Sequence, residues 1–316
     1  MKQKYIIGLG CSWTQGEGGY PQEVVDAHGG YTQCRPGQPG WPDSDYYLRE
    51  YELENSWVNQ LCKYHFPQYK SLNLGIKGIG NQAAVGQLNF ADQIDFDNSE
   101  GIVILMLSGM ERFDIIQQHP KDNSGFAEPD GYNSGEYRHT KWRTAWPFET
   151  THGDKEFWGT YARQLRSEQM VATHQLMALL NLQTWAKAYG YKVIIANAFN
   201  QHHWNSHLIP SEVGSGVELY LKLNCGALHK KFDWASCDFH RGKDYISFMQ
   251  KLVELDGKLS KDDWCQFNSV YNPDKMKTHS TYLTNDQGSH PTIKGYRVIA
   301  DELAKFIKER GYIEES

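Results

Sequence analysis

The sequence predicts an α/β protein, a three-layer α/β/α sandwich built on a parallel sheet with long loop insertions. Four short runs of β-branched and other apolar residues are bounded by turn residues and predict strands at 5–9, 71–74, 102–107 and 193–198. Because these runs are apolar almost throughout, we expect both faces of the sheet to be covered, as in a doubly wound parallel sheet. Helical patterns between the runs favour the same architecture.

Helical periodicity predicts four longer helices between and after these strands. Ser56 is the expected N-cap of a helix over WVNQLCKYHF, and a second helix is expected over 81–94. Apolar residues at helical spacing predict a third helix over 160–189 and a C-terminal helix over 292–310, each followed by a glycine.

Three long segments show neither pattern and are rich in Gly, Pro, Trp, Tyr and His. They are 19–55, 115–158 and 200–285. We expect them to be insertions over the carboxyl edge of the sheet, where open α/β proteins bind ligands. Short helices are expected inside the last insertion, at 217–228 and 244–255. The chain is therefore predicted to form one elaborated domain over residues 1–316.

Composition and charge limit the expected partners. The chain has 32 Lys and Arg against 38 Asp and Glu, a formal charge of −6, and no basic run that would neutralise a row of phosphates. We therefore expect no nucleic-acid partner. The apolar stretch near the start is only about five residues long, and no segment approaches the roughly 20 apolar residues of a membrane span. Neither a signal peptide nor a transmembrane segment is expected, which favours a cytoplasmic location.

The glycine-rich turn after the first strand, GLGCSWTQGEGG at 8–19, is the most informative segment for chemistry. A dinucleotide fingerprint would require glycine where Trp13 stands, and a phosphate-binding P-loop would require Lys-Ser/Thr where Glu17 and Gly18 stand. A third interpretation is a nucleophilic serine, Ser12, raised at the end of a strand with its backbone N–H available to an oxyanion. A plain glycine-rich turn with a capping serine is the alternative.

The run GCSWTQG at 10–16 resembles the first sequence block of the SGNH/GDSL hydrolases, a Gly-x-Ser followed shortly by glycine, with Cys11 where Asp is usual. The resemblance implies a flavodoxin-like fold in which Ser12 is the nucleophile and supplies an oxyanion N–H. Trp13 then becomes a candidate substrate-binding residue.

The run NLGIKGIGN at 73–81 resembles the second block of that family, whose second turn glycine donates an N–H to the oxyanion. That role falls on Gly78, and Asn81 becomes a candidate substrate-binding residue. Asn81 and the SWVNQL run at 56–61 also resemble a phage-encoded branch of the superfamily. The alternative for Asn81 is a helix cap.

The third block departs from the family pattern, because SGMER at 108–112 replaces Gly-x-Asn-Asp. An ionised Glu111 cannot donate a hydrogen bond, whereas Ser108 and Arg112 can. We assign Ser108 to the oxyanion hole and Arg112 to substrate binding, with a structural ion pair as the alternative for Arg112. Strand ends of this kind are typical of the phage-like branch.

The run NDQGSHP at 285–291 resembles the family's D-x-x-H-P block and makes His290 the general base. Asp286 is the expected orienting acid, although it lies four residues before His290 instead of three. A histidine that merely precedes a helix with proline at its first position is the alternative.

The resemblance implies a Ser-His-Asp esterase or acetylesterase, including a carbohydrate O-deacetylase, that acts on a small-molecule or polysaccharide ester without metal or cofactor. The 10 Trp and 19 Tyr fit sugar stacking. His202, His203 and His207 lack an obvious carboxylate co-ligand, so no metal site is predicted. The changed first and third blocks leave an alternative from another class, a catalytically reduced binding or virion-associated module with virion or homo-oligomer contacts.

Overall fold

A computed structural model describes most of the core of the protein. The described residues are 2–29, 46–77, 79–91, 94–108, 113–116, 142–145, 167–198, 221–240, 247–256, 281–284 and 290–313. Within these ranges, none of the helices combines the length and hydrophobicity that a bilayer crossing requires.

Within the described residues, seven strands form two sheets. In chain order the strands are β1 (Gln3–Gly10), β2 (Lys70–Asn73), β3 (Ser99–Leu107), β4 (Phe113–Ile116), β5 (Trp142–Ala145), β6 (Lys192–Asn197) and β7 (Cys237–Phe239). The main sheet is wholly parallel and has the order β2-β1-β3-β6-β7, whereas β4 and β5 pair as a separate antiparallel ribbon. If the five parallel strands are renumbered in chain order, so that β6 and β7 become strands 4 and 5, the order is the flavodoxin-like 2-1-3-4-5. The predicted fold class is confirmed.

Nine α-helices cover and connect the strands in the described part of the chain. They are α1 (Ser12–Gln15), α2 (Gln22–Ala27), α3 (Tyr46–Asn55), α4 (Trp57–His65), α5 (Asn81–Gly86), α6 (Glu168–Tyr189), α7 (Gly226–His229), α8 (Phe248–Leu255) and α9 (Ile293–Glu309). Short 3-10 turns add Gln87–Phe90, Phe96–Asn98 and Trp234–Ser236.

Alternation along the strands divides the core into two apolar layers. Ile6 and Ile104 face a layer formed by α4, α8 and α9, whereas their neighbours Ile7 and Leu105 face a layer formed by α5 and α6. Successive side chains of a strand point to opposite faces, so an unbroken apolar run fills both layers. The predicted α/β/α sandwich follows from this pattern.

Most predicted helices are present, with boundaries set by capping. Ser56 caps α4 by accepting a hydrogen bond from the Asn59 N–H, as expected. The third long helix begins later than predicted, because Ser167 is extended and caps α6 through the Met170 N–H. The predicted helix over 81–94 is shorter, since α5 gives way to a 3-10 turn after Gly86.

The long insertions contain regular elements that the sequence did not predict. Helices α2 and α3 lie inside 19–55, and β7 lies inside 200–285. Of the two short helices expected there, α8 covers most of 244–255, and helical residues at 221–224 together with α7 cover the later part of 217–228. The remainder of both predicted helices lies partly outside the described residues.

We expect Leu303→Ala to lower the free energy of unfolding by about 2–5 kcal/mol, because Leu303 is completely buried where α9 meets the sheet. Urea denaturation would measure this loss. Lys305→Ala, on the exposed side of the same helix, is the control and should change stability by less than about 0.5 kcal/mol. Equal losses in the two variants would contradict this position of α9.

Candidate active site

Ser12 lies directly beyond the carboxyl end of β1. The order of the main sheet reverses between β1 and its neighbour β3. Crevices at this point are where open α/β sheets bind ligands. The N-cap of α1 is Cys11, and Ser12 is the first helical residue, so Ser12 is not a capping residue. Its backbone N–H is in the first helical turn, where an amide has no acceptor within its own helix.

His290 reaches the same point from the other end of the chain. Its Nε2 lies 2.9 Å from Ser12 Oγ, a hydrogen-bond distance. Both residues are buried, with 5% of His290 and 6% of Ser12 exposed. The structure therefore brings together the predicted nucleophile and the predicted base.

A small antiparallel ribbon holds His290 in place. The Thr284 N–H donates to the His290 carbonyl at 2.7 Å, and the His290 N–H donates to Thr284 Oγ1 at 3.0 Å. Pro291 forms a bridge with Leu283, and Thr292 is the N-cap of α9. Pro291 thus precedes the helix instead of occupying its first turn, which contradicts the alternative in which His290 only introduces that helix.

Glu17 is the third member of the cluster formed with Ser12 and His290, and the sequence did not predict it. Its Oε2 lies 3.2 Å from His290 Nε2, and both side chains are buried. The Tyr296 hydroxyl donates to the backbone carbonyl of Glu17 at 2.7 Å, which ties this loop to α9. A carboxylate thus contacts the same ring nitrogen as Ser12.

Gln15 connects the serine turn with two other segments. Its Nε2 donates to Glu52 Oε2 at 2.9 Å, and its Oε1 accepts from the Lys77 N–H at 2.7 Å. Tyr20 donates its hydroxyl to the other oxygen of Glu52. All three side chains of this Gln15, Glu52 and Tyr20 group are buried. The turn that carries Ser12 is therefore fixed to α3 and to the chain directly before Gly78.

Asn81 and Ser108 form a buried polar network at the ends of α5 and β3. Asn81 Oδ1 accepts from the Ser108 N–H at 2.8 Å and from its hydroxyl at 3.0 Å. The Asn81 Nδ2 donates to Gln175 Oε1 at 2.7 Å. Gly80, not Asn81, is the N-cap of α5, which contradicts the capping alternative. Asn81 and Ser108 are completely buried, so their visible contacts are with each other and with neighbouring protein groups.

Trp13 lies inside the protein. Its side chain is completely buried in the apolar layer that also contains Trp57 and Tyr296. The predicted role in substrate binding would require an accessible ring, whereas this ring packs against the core. Trp13 therefore anchors the turn that carries Ser12.

Several predicted site residues lie outside the described residues. They are Gly78, Arg112 and Asp286; the histidines for which no metal site is predicted, His202, His203 and His207, lie outside them too. In the part of the chain that the structure does describe, no group of three or more His, Cys, Asp or Glu side chains is arranged to hold a metal ion.

Glu17 and Glu52 could not be predicted from the sequence, because their spacing from Ser12 follows neither a helical nor a strand period. In the sequence, Glu17 is notable only as a residue that is incompatible with a P-loop. Its proximity to His290 depends on contacts between distant segments. A buried acid on a glycine-rich turn, EGG at 17–19, is the only local feature that would have indicated it.

No protein-family model matches the sequence, and no curated protein matches it. Solved structures similar to the chain include a member of the lipolytic protein G-D-S-L family from Veillonella parvula, 13% identical with a TM-score of 0.38, over 96% of this chain and 98% of that one.

Two carbohydrate esterases are also similar to the chain. A family two carbohydrate esterase from Clostridium thermocellum, in complex with cellohexaose, is 11% identical with a TM-score of 0.41, and the match covers 98% of this chain but only 65% of that one. A carbohydrate acetylesterase from Sinorhizobium meliloti is 14% identical with a TM-score of 0.38, over 96% and 100% of the two chains.

We expect Gly18→Ala to be more destabilising than Gly190→Ala. Both glycines have positive φ, +94° and +76°, so each variant incurs a backbone strain of about 1–2 kcal/mol. A Cβ on Gly18 would also lie 2.7 Å from the Pro291 carbonyl oxygen and 3.0 Å from His290 Cβ, whereas one on Gly190 meets nothing within 4 Å. Urea unfolding of both variants measures the difference, and equal losses would contradict the close packing of the Gly18 loop on His290.

Proposed function

We propose that this protein is a serine hydrolase of carboxylic esters, of the SGNH/GDSL type and its phage-like branch, in which Ser12 is the nucleophile and His290 the general base. The observation that supports this proposal best is the 2.9 Å separation of Ser12 Oγ and His290 Nε2, two residues 278 positions apart in the chain. A nucleophile and a base within hydrogen-bond reach define covalent acyl transfer.

In this mechanism Ser12 Oγ attacks the ester carbonyl while its proton passes to His290 Nε2. The carbonyl electron pair moves to oxygen and forms a tetrahedral oxyanion. Collapse of this intermediate expels the alcohol, which takes the proton from Nε2 and leaves an acyl-serine. His290 then activates a water that hydrolyses the acyl group and regenerates Ser12.

The oxyanion is stabilised by backbone N–H groups of Ser12 and Gly78, with Ser108 as a third contributor. The position of Ser12 in the first turn of α1 supports its part. The segments on either side of Gly78 support the second, because the Lys77 N–H is fixed by Gln15 and the Ile79 carbonyl accepts from Ser108 Oγ at 3.4 Å. Both donors of Ser108, its N–H and its hydroxyl, are directed at Asn81 Oδ1, so the Ser108 hydroxyl must turn away from Asn81 to donate to the oxyanion.

Asp286 orients the imidazole from the nitrogen opposite Ser12. The support for this assignment is the Thr284 to His290 ribbon, which draws together the two ends of the short segment that contains Asp286. An acid in that position would select the tautomer of His290 that accepts the Ser12 proton.

The proposed substrates are acetyl esters, including O-acetyl groups on carbohydrates. Ten Trp and 19 Tyr in the chain, many in the long insertions, provide aromatic faces of the type that stack on sugar rings. Arg112 would bind a polar group of the substrate. A binding or virion-associated module that retains the scaffold remains the second candidate, favoured by the buried cysteine, Cys11, at the position where Asp is usual in the family.

We expect Ser12→Ala to abolish covalent labelling by a fluorophosphonate probe and to lower the turnover of an aryl acetate by at least about 10³-fold, because the variant removes the attacking oxygen. His290→Gln should have a similar effect on turnover, since Ser12 loses its base. Gel fluorescence and a spectrophotometric assay of 4-nitrophenyl acetate give the two readouts.

Ser71→Ala is the matched control, because Ser71 is a serine on β2 whose hydroxyl donates to Asn59 and not to the site. This variant should label and turn over like the wild type. Absence of labelling and of turnover in the wild-type protein would favour the binding module. Labelling that persists in Ser12→Ala would assign the nucleophile to another residue.

A further inference from the structure

Two oxygen atoms approach the ring nitrogen of His290 that faces Ser12. Ser12 Oγ lies 2.9 Å from Nε2, and Glu17 Oε2 lies 3.2 Å from it. A neutral imidazole with a lone pair on Nε2 can accept the Ser12 proton but gains nothing from the adjacent carboxylate. A protonated ring attracts both oxygens, so the geometry favours the imidazolium form.

Burial alone would oppose that form. His240 shows the effect elsewhere in the protein: the residue is 6% exposed, its ring stacks on Phe248, and desolvation lowers its pKa to about 4 although the Glu302 carboxylate acts in the opposite direction. His290 is equally buried, with 5% exposed. A histidine buried to this extent would be a weak base at neutral pH unless a nearby negative charge offset the cost of burying its protonated form.

We propose that Glu17 is a positioning residue of the proposed esterase site, whose carboxylate stabilises the imidazolium of His290 and so strengthens Nε2 as the base that takes the Ser12 proton. This inference rests on the proposed function and adds to it a second acidic residue, on the Ser12 side of the ring. The side chains of Glu17 and His290 are 8% and 7% exposed, so solvent screens their interaction weakly.

The backbone around Glu17 holds the carboxylate in this position. Tyr296 donates to the Glu17 carbonyl from α9, and the Glu17 N–H donates to the Ser12 carbonyl at 3.1 Å. The next residue, Gly18, adopts a φ of +94° that places the loop against His290. Glu17 is therefore fixed to both the nucleophile and the helix that follows the base.

Other titratable groups among the described residues lie near Glu17 and His290, but their established contacts are with other groups. Glu52, on α3, accepts hydrogen bonds from Gln15 and Tyr20. The Tyr296 hydroxyl binds the Glu17 backbone. Cys11 is buried beside Ser12. In the described part of the chain, Glu17 is the acid whose contact with the His290 ring is established.

Proton transfer balances without any change in Glu17. The Ser12 O–H bond breaks, its proton binds Nε2, and its electron pair forms the bond to the acyl carbon. The positive charge that appears on the ring is then adjacent to the Glu17 carboxylate. When the alcohol leaves, it removes that proton from Nε2, and Glu17 neither gains nor loses a proton.

The test is an NMR pH titration of the His290 ring in ¹⁵N-labelled wild type and in Glu17→Gln, with the resonance assigned by its loss in His290→Gln. Loss of the carboxylate should lower the titration midpoint by about one pH unit or more, a tenfold loss of proton affinity. Glu17→Asp retains the charge at a greater distance and should titrate between the two. Glu23→Gln, an exposed change on α2, is the matched control, and His240 is an internal reference that should not move.

The acid limb of the pH profile of kcat/KM should move to lower pH in Glu17→Gln together with the NMR midpoint, because His290 is then a weaker base and more acid is needed to protonate it. A merely structural role would lower the rate without moving this limb. The inference would be overturned if the proton affinity of His290, taken from its titration midpoint, differed by less than about twofold between the wild type and both Glu17→Gln and Glu17→Asp. A midpoint that is lowered in Glu17→Gln, combined with an absence of esterase turnover in the wild type, would support the Glu17 contact and refute the proposed function.

Discussion

The hydrogen-bonded contact between Ser12 and His290 is the constraint on which the arrangement of the site depends, because it joins the two ends of the chain. Each residue is carried by an element fixed elsewhere: Ser12 by the turn after β1, an inner strand of the main sheet, and His290 by the segment before α9. Helix α9 packs in the same apolar layer as α4 and β1. Burial of this layer therefore sets the distance between nucleophile and base, and no local sequence feature does so alone.

Buried polar groups fix what apolar packing leaves undetermined. Apolar contacts are non-directional, so they place α5 and α1 against the sheet without defining the orientation of the turns that follow. Hydrogen bonds from the Ser108 N–H to Asn81, from Gln15 to Glu52 and from the Lys77 N–H to Gln15 supply direction. A buried polar group without its partner is destabilising by about 1–3 kcal/mol, so each such group favours a single arrangement of its loop.

The sequence predicted the features that depend on short-range patterns. Strands β1, β2, β3 and β6 lie at the short β-rich runs of the sequence, and Ser56 is a local capping signal, so both were predictable. Strand β7 was missed because three residues with the polar Asp238 at their centre give no apolar run, although its pairing with β6 buries Cys237. The pairing of Ser12 with His290 was predicted through family resemblance, whereas Glu17 depends on tertiary contacts that a pattern does not contain.

The charges of the proposed reaction alternate in sign across the cluster. The oxyanion is negative, the imidazolium of His290 is positive, and the carboxylate of Glu17 is negative, so the cation lies in contact with one anion and close to the other. Because Ser12, His290 and Glu17 are all buried, the attractions in this series are stronger than they would be in water. The repulsion between the oxyanion and Glu17 is stronger as well, and it grows as the oxyanion forms. Donors aimed at the oxyanion, beginning with the Ser12 N–H at the start of α1, must therefore offset that repulsion, which is why an acid at this position requires a well-ordered oxyanion hole.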